Sequence, residues 1–390
     1  MDKNSMGNRL AYMLLVAYCL ATVLVPVFII NKIIFLPLFF VSVSVLFLRP
    51  VVTIAPLLVI LIFIYGYFFG CLNGADTSLG QQMLFGSSSL VLIYYIDFFK
   101  IDMSRAVKLT GAIFAILMCS LCFLLMVLPG LALGNELLNF YNVNELGFYG
   151  TRNFGGLQMF MLHHRSSPFL LVPLSLFFID YLKSKKITAL FFIAVILTAI
   201  ICSASRALMA MALVSLLVLY FFYKSWSMRL ILIMFTIPIL IFFVGYLANE
   251  TSILSSDEES NSIKIGHLVS FFNIIDWKML IFGQGLGSYF FTEGYGVVVS
   301  QTEITWMDAI RFFGLPLSIV LLMLLFFPVR NVPLNSSFSS CRVIMLLYII
   351  MSMSNPVLLN SFGFLVVLWY WSVITRDQLS LVAQGQTIGE

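Results

Sequence analysis

The chain has 390 residues, of which 61% are hydrophobic and only 10% charged, with a formal net charge of +4. Soluble domains carry about 25% charged residues, so a soluble globular fold is excluded. The small net charge says little about partners, and no basic block suggests nucleic acid.

Runs of roughly 20 apolar residues recur from end to end, each long enough to cross about 30 Å of hydrocarbon as a helix. Backbone polar groups find no water in that layer, so only helices or a closed barrel can span it. The runs are continuously apolar rather than alternating, which selects the helix. MDKNSMGNRL followed by a long apolar run has the polarity of a signal sequence, but no small-residue cleavage site follows, so it reads as an uncleaved first span. Spans are expected at 10–30, 33–48, 52–71, 82–98, 109–130, 166–182, 187–203, 207–223, 230–248, 306–327, 343–355 and 357–374, the last two readable as a re-entrant pair. The expected fold class is an all-α polytopic integral membrane protein of about 12 transmembrane helices, with residues 1–390 as a single transmembrane domain.

With the N-terminus in the cytoplasm, this topology puts 14 of the 21 Lys and Arg residues inside and 7 outside, in the sense of the positive-inside rule. Both termini are then cytoplasmic, and two large loops, 131–165 and 249–305, lie outside. Both loops are rich in Phe, Leu, Ile, Tyr and Gly, which argues against disorder. In the second, Ile265, Leu268, Phe271, Phe272 and Ile275 fall on one face of an interfacial helix. GLQMFMLHH in the first is expected to do the same. The two loops are pictured as a lid over the outer ends of the spans.

Charge near a bilayer is costly and marks functional candidates. In chain order, the first group is Arg152, His163, His164 and Arg165. Adjacent histidines point to different sides of a helix, so a two-ligand metal site is not expected. One histidine is a candidate proton acceptor; the group reads equally as an interfacial basic patch. In SASRAL, Arg206 stands in a tight outer turn. It reads as an anion clamp, since a guanidinium offers a planar fork to phosphate oxygens, or as a snorkelling helix cap. Asp257, Glu258 and Glu259 read as a solvated acidic run, and His267 as an interfacial polar residue. IFGQGLGSYF, with Gly285 and Gly287, has no preceding strand and no following Lys-Ser/Thr, so it is not a nucleotide loop; its glycines permit a tight backbone turn near a ligand. In TEITWMDAIRFFGLPL, Asp308 and Arg311 are three apart and meet on a helix, either as a structural ion pair or with Arg311 facing a polar cavity. Glu303 would then lie about 80° around that helix from Arg311. Cys19, Cys71, Cys119, Cys122, Cys202 and Cys341 show neither zinc spacing nor a disulfide framework, and the Cys119–Cys122 pair reads as packing inside an apolar helix.

In order and spacing, SASRAL, FGQGLGSY and EITWMDAIRFFGLPL resemble the segments of the bacterial O-antigen polymerase and ligase superfamily, most closely the Wzy-type polymerases. The resemblance covers roughly residues 200–325, and the topology extends it along the chain. Ligases usually carry His-Asn at the start of the third segment; here the position eleven residues before Gly314 is Glu303. That departure favours a polymerase and leaves the base open among Glu303, His163 and His164. The resemblance implies a GT-C-like fold in the bacterial inner membrane, with its active face periplasmic. It also implies a metal-independent glycosyltransferase without a cofactor. The implied substrate is an undecaprenyl-pyrophosphate-linked oligosaccharide drawn from membrane lipid, with a chain-length regulator protein as a candidate partner. Arg206 and Arg311 would stabilise the leaving pyrophosphate, with Arg152, His163, His164, Arg165, Asp308, Gly285 and Gly287 binding substrate and Glu303 deprotonating the acceptor. An O-antigen ligase is the nearest rival. A repeat-unit flippase is the rival of another class, though the two similar halves expected of a transporter are not visible.

Overall fold

The computed structural model describes residues 3–26, 28–48, 53–128, 130–154, 157–224, 227–229, 234, 258–328, 340–353 and 355–383. Among these, six helices are long and apolar enough to cross a bilayer: Met6–Leu24, Ile29–Leu48, Ala55–Leu72, Met103–Val127, Ser167–Ser184 and Thr305–Phe326. Four further apolar helices, Ile187–Cys202, Arg206–Phe222, Ser340–Met351 and Ser361–Arg376, are shorter. These ten lie on ten of the twelve expected spans, and the chain is a multi-pass membrane protein. The expected span at 230–248 falls outside the described residues.

The chain separates into two compact units, Met1–Phe114 with Ile275–Phe290 and Val299–Glu390, and Ala115–Ile274 with Phe291–Val298. In the first unit, α1 (Lys3–Leu24), α2 (Ile29–Leu48) and α3 (Ala55–Leu72) follow one another. The expected span at 82–98 is not one continuous helix: α4 (Thr77–Ser88) passes through a 3-10 turn, Ser89–Val91, into α5 (Leu92–Phe98). Ser87 and Ser88 each donate from Oγ to the carbonyl three residues back, at 2.8 and 2.6 Å. Such back-bonding competes with regular helical pairing and fits the tightened turn. The helix α6 (Met103–Val127) begins in this unit and ends in the other.

In the second unit the first large loop forms α7 (Ala132–Val143) and an antiparallel hairpin of β1 (Gly147–Phe154) and β2 (Leu157–His164), with Gly147 opposite His164. GLQMFMLHH is therefore mostly strand and not an interfacial helix. Its neighbour GFYGTRNF is rich in strand-forming residues, and the intervening Gly155-Gly156 is a hairpin signal that outweighs local apolarity. Three helices follow: α8 (Leu171–Ser184), α9 (Ile187–Cys202) and α10 (Arg206–Phe222). Phe177 stacks on Phe192 at 4.9 Å between centroids, and Ser175 Oγ meets Ser215 Oγ at 2.7 Å. The second hydroxyl satisfies a polar group that has no water available.

The second large loop carries α11 (Glu259–Ile274) and α12 (Trp277–Phe282), then the short pair β3 (Phe290–Thr292) and β4 (Val297–Val299). A helix is present where expected, but its expected apolar face is divided: Ile265, Leu268 and Phe272 are exposed, whereas Phe271 is buried together with His267 and Ser270. His267 is not an interfacial polar residue. It is buried, with Nδ1 2.6 Å from Thr292 Oγ1 and its ring edge-on to Tyr295.

The first unit closes with α13 (Thr305–Phe326), α14 (Ser340–Met351) and α15 (Ser361–Ala383). Trp369, Tyr370 and Trp371 of α15 are buried, and each satisfies its polar end: on Ser104 Oγ at 3.0 Å, the Phe326 carbonyl at 2.8 Å and the Leu325 carbonyl at 3.0 Å. Phe63 of α3 packs edge-on against both Phe313 and Phe364, at 5.2 and 5.5 Å.

Candidate functional site

The residues singled out in the sequence fall into two clusters, one in each unit. In the second unit, α9 gives way to α10 through only Ser203, Ala204 and Ser205. Ala204 takes φ +45°, and Ser205 caps α10 by accepting from the Leu208 amide at 3.4 Å. Arg206 is the first helical residue, and its Nη2 lies 2.5 Å from Oε2 of Glu258. Arg152, on β1, donates from Nη1 to the Ala204 carbonyl at 3.3 Å, while its Nη2 is 3.9 Å from the other oxygen of Glu258. Glu258 Oε2 also accepts from the Asn261 amide at 3.2 Å. The side chains of Arg206, Glu258 and Arg152 are 20%, 22% and 27% exposed, so this cluster is not sealed in a core.

Glu258 is thus not a merely solvated acid. Partial burial works to raise its carboxyl, but the Arg206 hydrogen bond and charge, the Asn261 amide and Arg152 outweigh that and leave it below the ordinary carboxylate value. Asp257 and the Glu259 side chain lie outside what the structure describes.

His163 and His164 face opposite ways from their strand, as successive strand residues do. His163 is half-buried, stacked on Phe148 at 4.7 Å. Burial holds its imidazole down at about 4, the Arg152 charge adds to this, and a hydrogen bond with the Ser203 backbone opposes it. A ring so reluctant to protonate is a weak base at neutral pH. His164 is buried and its Nδ1 accepts from the Ser166 amide at 3.0 Å, so that nitrogen is committed to the turn rather than to a substrate proton. Arg165 turns outward and pairs with Glu145 at 3.1 Å, both well exposed.

The second cluster surrounds α13. This helix is broken at Gly314 (φ +78°, ψ 163°), and Pro316 has no N–H to return to residue 312. The released carbonyls of Arg311 and Phe312 accept from the amides of Gln284 and Gly285, at 2.6 and 3.0 Å. On the other side of the Gly-rich turn, the Leu286 amide donates to Gly66 at 2.8 Å and the Asp76 amide donates to Gly287 at 2.8 Å. Gly285 and Gly287 take φ +92° and +75°; a side chain at the first would strike the Gly70 backbone, and at the second the Asp76 carbonyl. Both glycines therefore serve close packing of backbone on backbone, which satisfies peptide groups inside a membrane protein.

Arg311 is wholly enclosed. It donates to the Ser288 carbonyl and hydroxyl, to the Ser300 carbonyl at 2.7 Å and to Asp308 Oδ1 at 3.0 Å. The rings of Phe290 and Phe312 lie 4.4 and 4.7 Å from the guanidinium carbon. Asp308 uses its other oxygen to accept from the Thr302 amide and hydroxyl, at 2.7 and 3.1 Å. The pair meets as expected, but Arg311 faces a closed nest instead of a polar cavity. The helical angle between Glu303 and Arg311 does not apply, because α13 starts at Thr305 and Thr302 is drawn back onto Asp308. Glu303 precedes the helix and is half-buried.

Of the candidates, Arg152 and Arg206 are brought together with His163 beside them, and Asp308 and Arg311 are joined to the segment holding Gly285 and Gly287. His164 and Arg165 are given local roles. Glu258, Ser288 and Ser300 were not singled out from the sequence. They take part through contacts from other segments that no local spacing announces. Among the described residues no three His, Cys, Asp or Glu side chains gather as metal ligands.

Part of the chain is similar to a protein named O-antigen polymerase from Shigella flexneri: 27% identity over 188 residues, 46% of this chain and 46% of the relative. The match thus spans about half the length of that relative. No family model and no solved structure matches the chain.

Proposed function

We propose that this membrane protein is a polymerase of surface polysaccharide, joining repeat units carried on undecaprenyl pyrophosphate. The observation that carries the reading is the pair of guanidiniums, Arg206 and Arg152, converging on one carboxylate at a partly exposed helix start. The similarity to a protein named O-antigen polymerase supports it, as do the motifs around Arg206 and Arg311.

In the proposed reaction, a hydroxyl oxygen of one lipid-linked unit attacks the anomeric carbon of another chain. A glycosidic C–O bond forms as the anomeric carbon–phosphate oxygen bond breaks. The electron pair leaves with undecaprenyl pyrophosphate, and the hydroxyl proton passes to a base. Charge builds on the leaving pyrophosphate, and preorganised cations aimed at such charge contribute strongly to catalysis. Arg206 and Arg152 take that part, with the α10 N-terminus adding its dipole. The lowered basicity of His163 and the engaged Nδ1 of His164 leave these two residues less suited as that base. Arg311 and Asp308 act by positioning the Gly-rich segment. The same proposal holds the fold to be GT-C-like, the membrane to be the bacterial inner membrane, both termini cytoplasmic, and the active face periplasmic. It includes a metal-independent reaction and a chain-length regulator as partner.

Purified protein in lipid nanodiscs, given a defined undecaprenyl-pyrophosphate-linked repeat unit, should yield a ladder of chains. Arg206→Ala should cut its formation by about 10²-fold or more while the protein still inserts and elutes as a single species. An undiminished ladder would remove the assignment. Transfer only to a lipid A core acceptor would indicate a ligase, and cytoplasmic accumulation of lipid-linked units in a deletion strain would indicate a flippase.

A further inference from the structure

We infer that the first two turns of α4, with Asp76 at their head, form a binding face for the hydroxyl groups of a sugar chain, held in place by the Gly-rich segment 283–288. The inference rests on the polymerase reading and on the topology, expected from the sequence, that puts residues 72–81 outside. All the residues concerned belong to the first unit. Three observations carry it.

The first is composition. NGADTSLGQQ is a polar stretch between apolar runs, and residues 50–99 contain no Lys or Arg. Gly80 and Met83 are buried, whereas Thr77, Ser78, Gln81 and Gln82 are exposed. One turn further on the exposed residue is Phe85, with Lys32 Nζ 5.7 Å from its ring centroid. The exposed row therefore consists of hydroxyls and amides, which both donate and accept, beside one carboxylate. That set matches sugar hydroxyls. It suits a diphosphate poorly, because phosphate oxygens call for cationic donors and are repelled by a carboxylate.

The second is anchoring. Asn73 Nδ2 donates to the Gln284 carbonyl at 2.9 Å, and the Asp76 amide donates to the Gly287 carbonyl at 2.8 Å. A side chain at Gly70, just before this stretch, would strike the Leu286 backbone. The Gly-rich turn thus braces the start of α4 by backbone contact. A preorganised face loses little freedom when it binds, which matters where each polar contact is weak.

The third is the Asp76 carboxylate. Oδ1 caps α4, accepting from the Ser78 and Leu79 amides at 3.0 and 3.2 Å. Oδ2 meets Ser300 Oγ at 3.4 Å, longer than an ordinary O–H···O bond. The Ser300 carbonyl in turn accepts from Arg311 Nη2 at 2.7 Å. The enclosed Arg311 therefore positions the segment that reaches Asp76. A sugar hydroxyl donating to Oδ2 would make a charge-assisted bond stronger than the one it joins or replaces.

Saturation-transfer NMR tests the idea on the full chain in nanodiscs, titrated with the repeat-unit oligosaccharide freed from its lipid diphosphate. The native chain should bind it. Asp76→Ser keeps a capping hydroxyl and removes the carboxylate; it should weaken binding about tenfold. Gln81→Ala combined with Gln82→Ala changes only exposed side chains and should weaken it about threefold or more. In chain synthesis, Asp76→Ser should raise KM for the lipid-linked unit by a similar factor and leave kcat nearly unchanged. No saturation transfer with the native chain, or native affinity in either monodisperse variant, would overturn the inference. A ladder of chains made without oligosaccharide binding sinks only this inference, whereas binding without any chain synthesis sinks the polymerase reading.

Discussion

Arg311 and Arg206 both stand near the start of an apolar helix, both have a carboxylate partner, and the two have opposite surroundings. Arg311 is enclosed, with two carbonyls, a hydroxyl, Asp308 and two aromatic rings around it. Arg206 is 20% exposed, and its carboxylate partner lies at the edge of a helix that begins one residue later. A cation enclosed in this way, with both terminal nitrogens donating to its own chain and only Nε left without an acceptor, is held by the architecture around it. Arg206 meets a carboxylate that is itself 22% exposed, so neither charge is fully withdrawn from the surface. The difference between the two arginines is therefore in desolvation, not in charge.

The largest effect should come from breaking the enclosed pair. Arg311→Met leaves Asp308 buried without its cation, which costs about 3–5 kcal/mol. Thermal unfolding in detergent should register this as a large drop, and Arg311→Met combined with Asp308→Leu should recover much of it. A single variant as stable as the native chain would erase the distinction between the two arginines.

A middle effect is expected from His163. Its folded pKa of about 4 lies below the ordinary 6.5, so between those values the unfolded chain binds more protons than the folded one. Stability should fall as pH drops from about 6.5 towards 4, by at most about 1.4 kcal/mol per pH unit. His163→Gln should flatten that slope. An unchanged slope would mean that the arginine-side cluster does not exclude the charged imidazole. The Glu258 contribution has a different window, present above the ordinary carboxylate range and lost only at more acidic pH, as the carboxyl is protonated.

The smallest effect belongs to Arg165. Its pair with Glu145 is 53% and 72% exposed, and such pairs contribute about 0–1 kcal/mol. Arg165→Ala should leave unfolding and chain synthesis nearly unchanged. A hundredfold loss of synthesis would place Arg165 with Arg206 and redraw the boundary of the site.

Much of the fold is legible in the residues. Continuous apolar runs mark the spans, and the 265–275 stretch is helical up to Ile274, although Phe271 departs from the expected face. The serines at 87–89 and the Gly155-Gly156 hairpin signal were equally present, but local apolarity obscured both. In the candidate site, the Asp308–Arg311 pair follows from helical spacing alone. Its enclosure does not, because Ser288 and Ser300 reach Arg311 from a separate segment. Nor does the Glu258 contact, which joins residues 106 and 52 positions away on β1 and α10.

By itself the sequence determined that this chain lives in a membrane and is helical there, because hydrocarbon admits no unsatisfied backbone. It also determined which few charges stand near the apolar layer. Only the tertiary structure decided which of those charges are enclosed within the fold and which keep part of their surface exposed. That outcome depends on how many distant donors, acceptors and rings converge on each side chain, and such convergence is a property of packing.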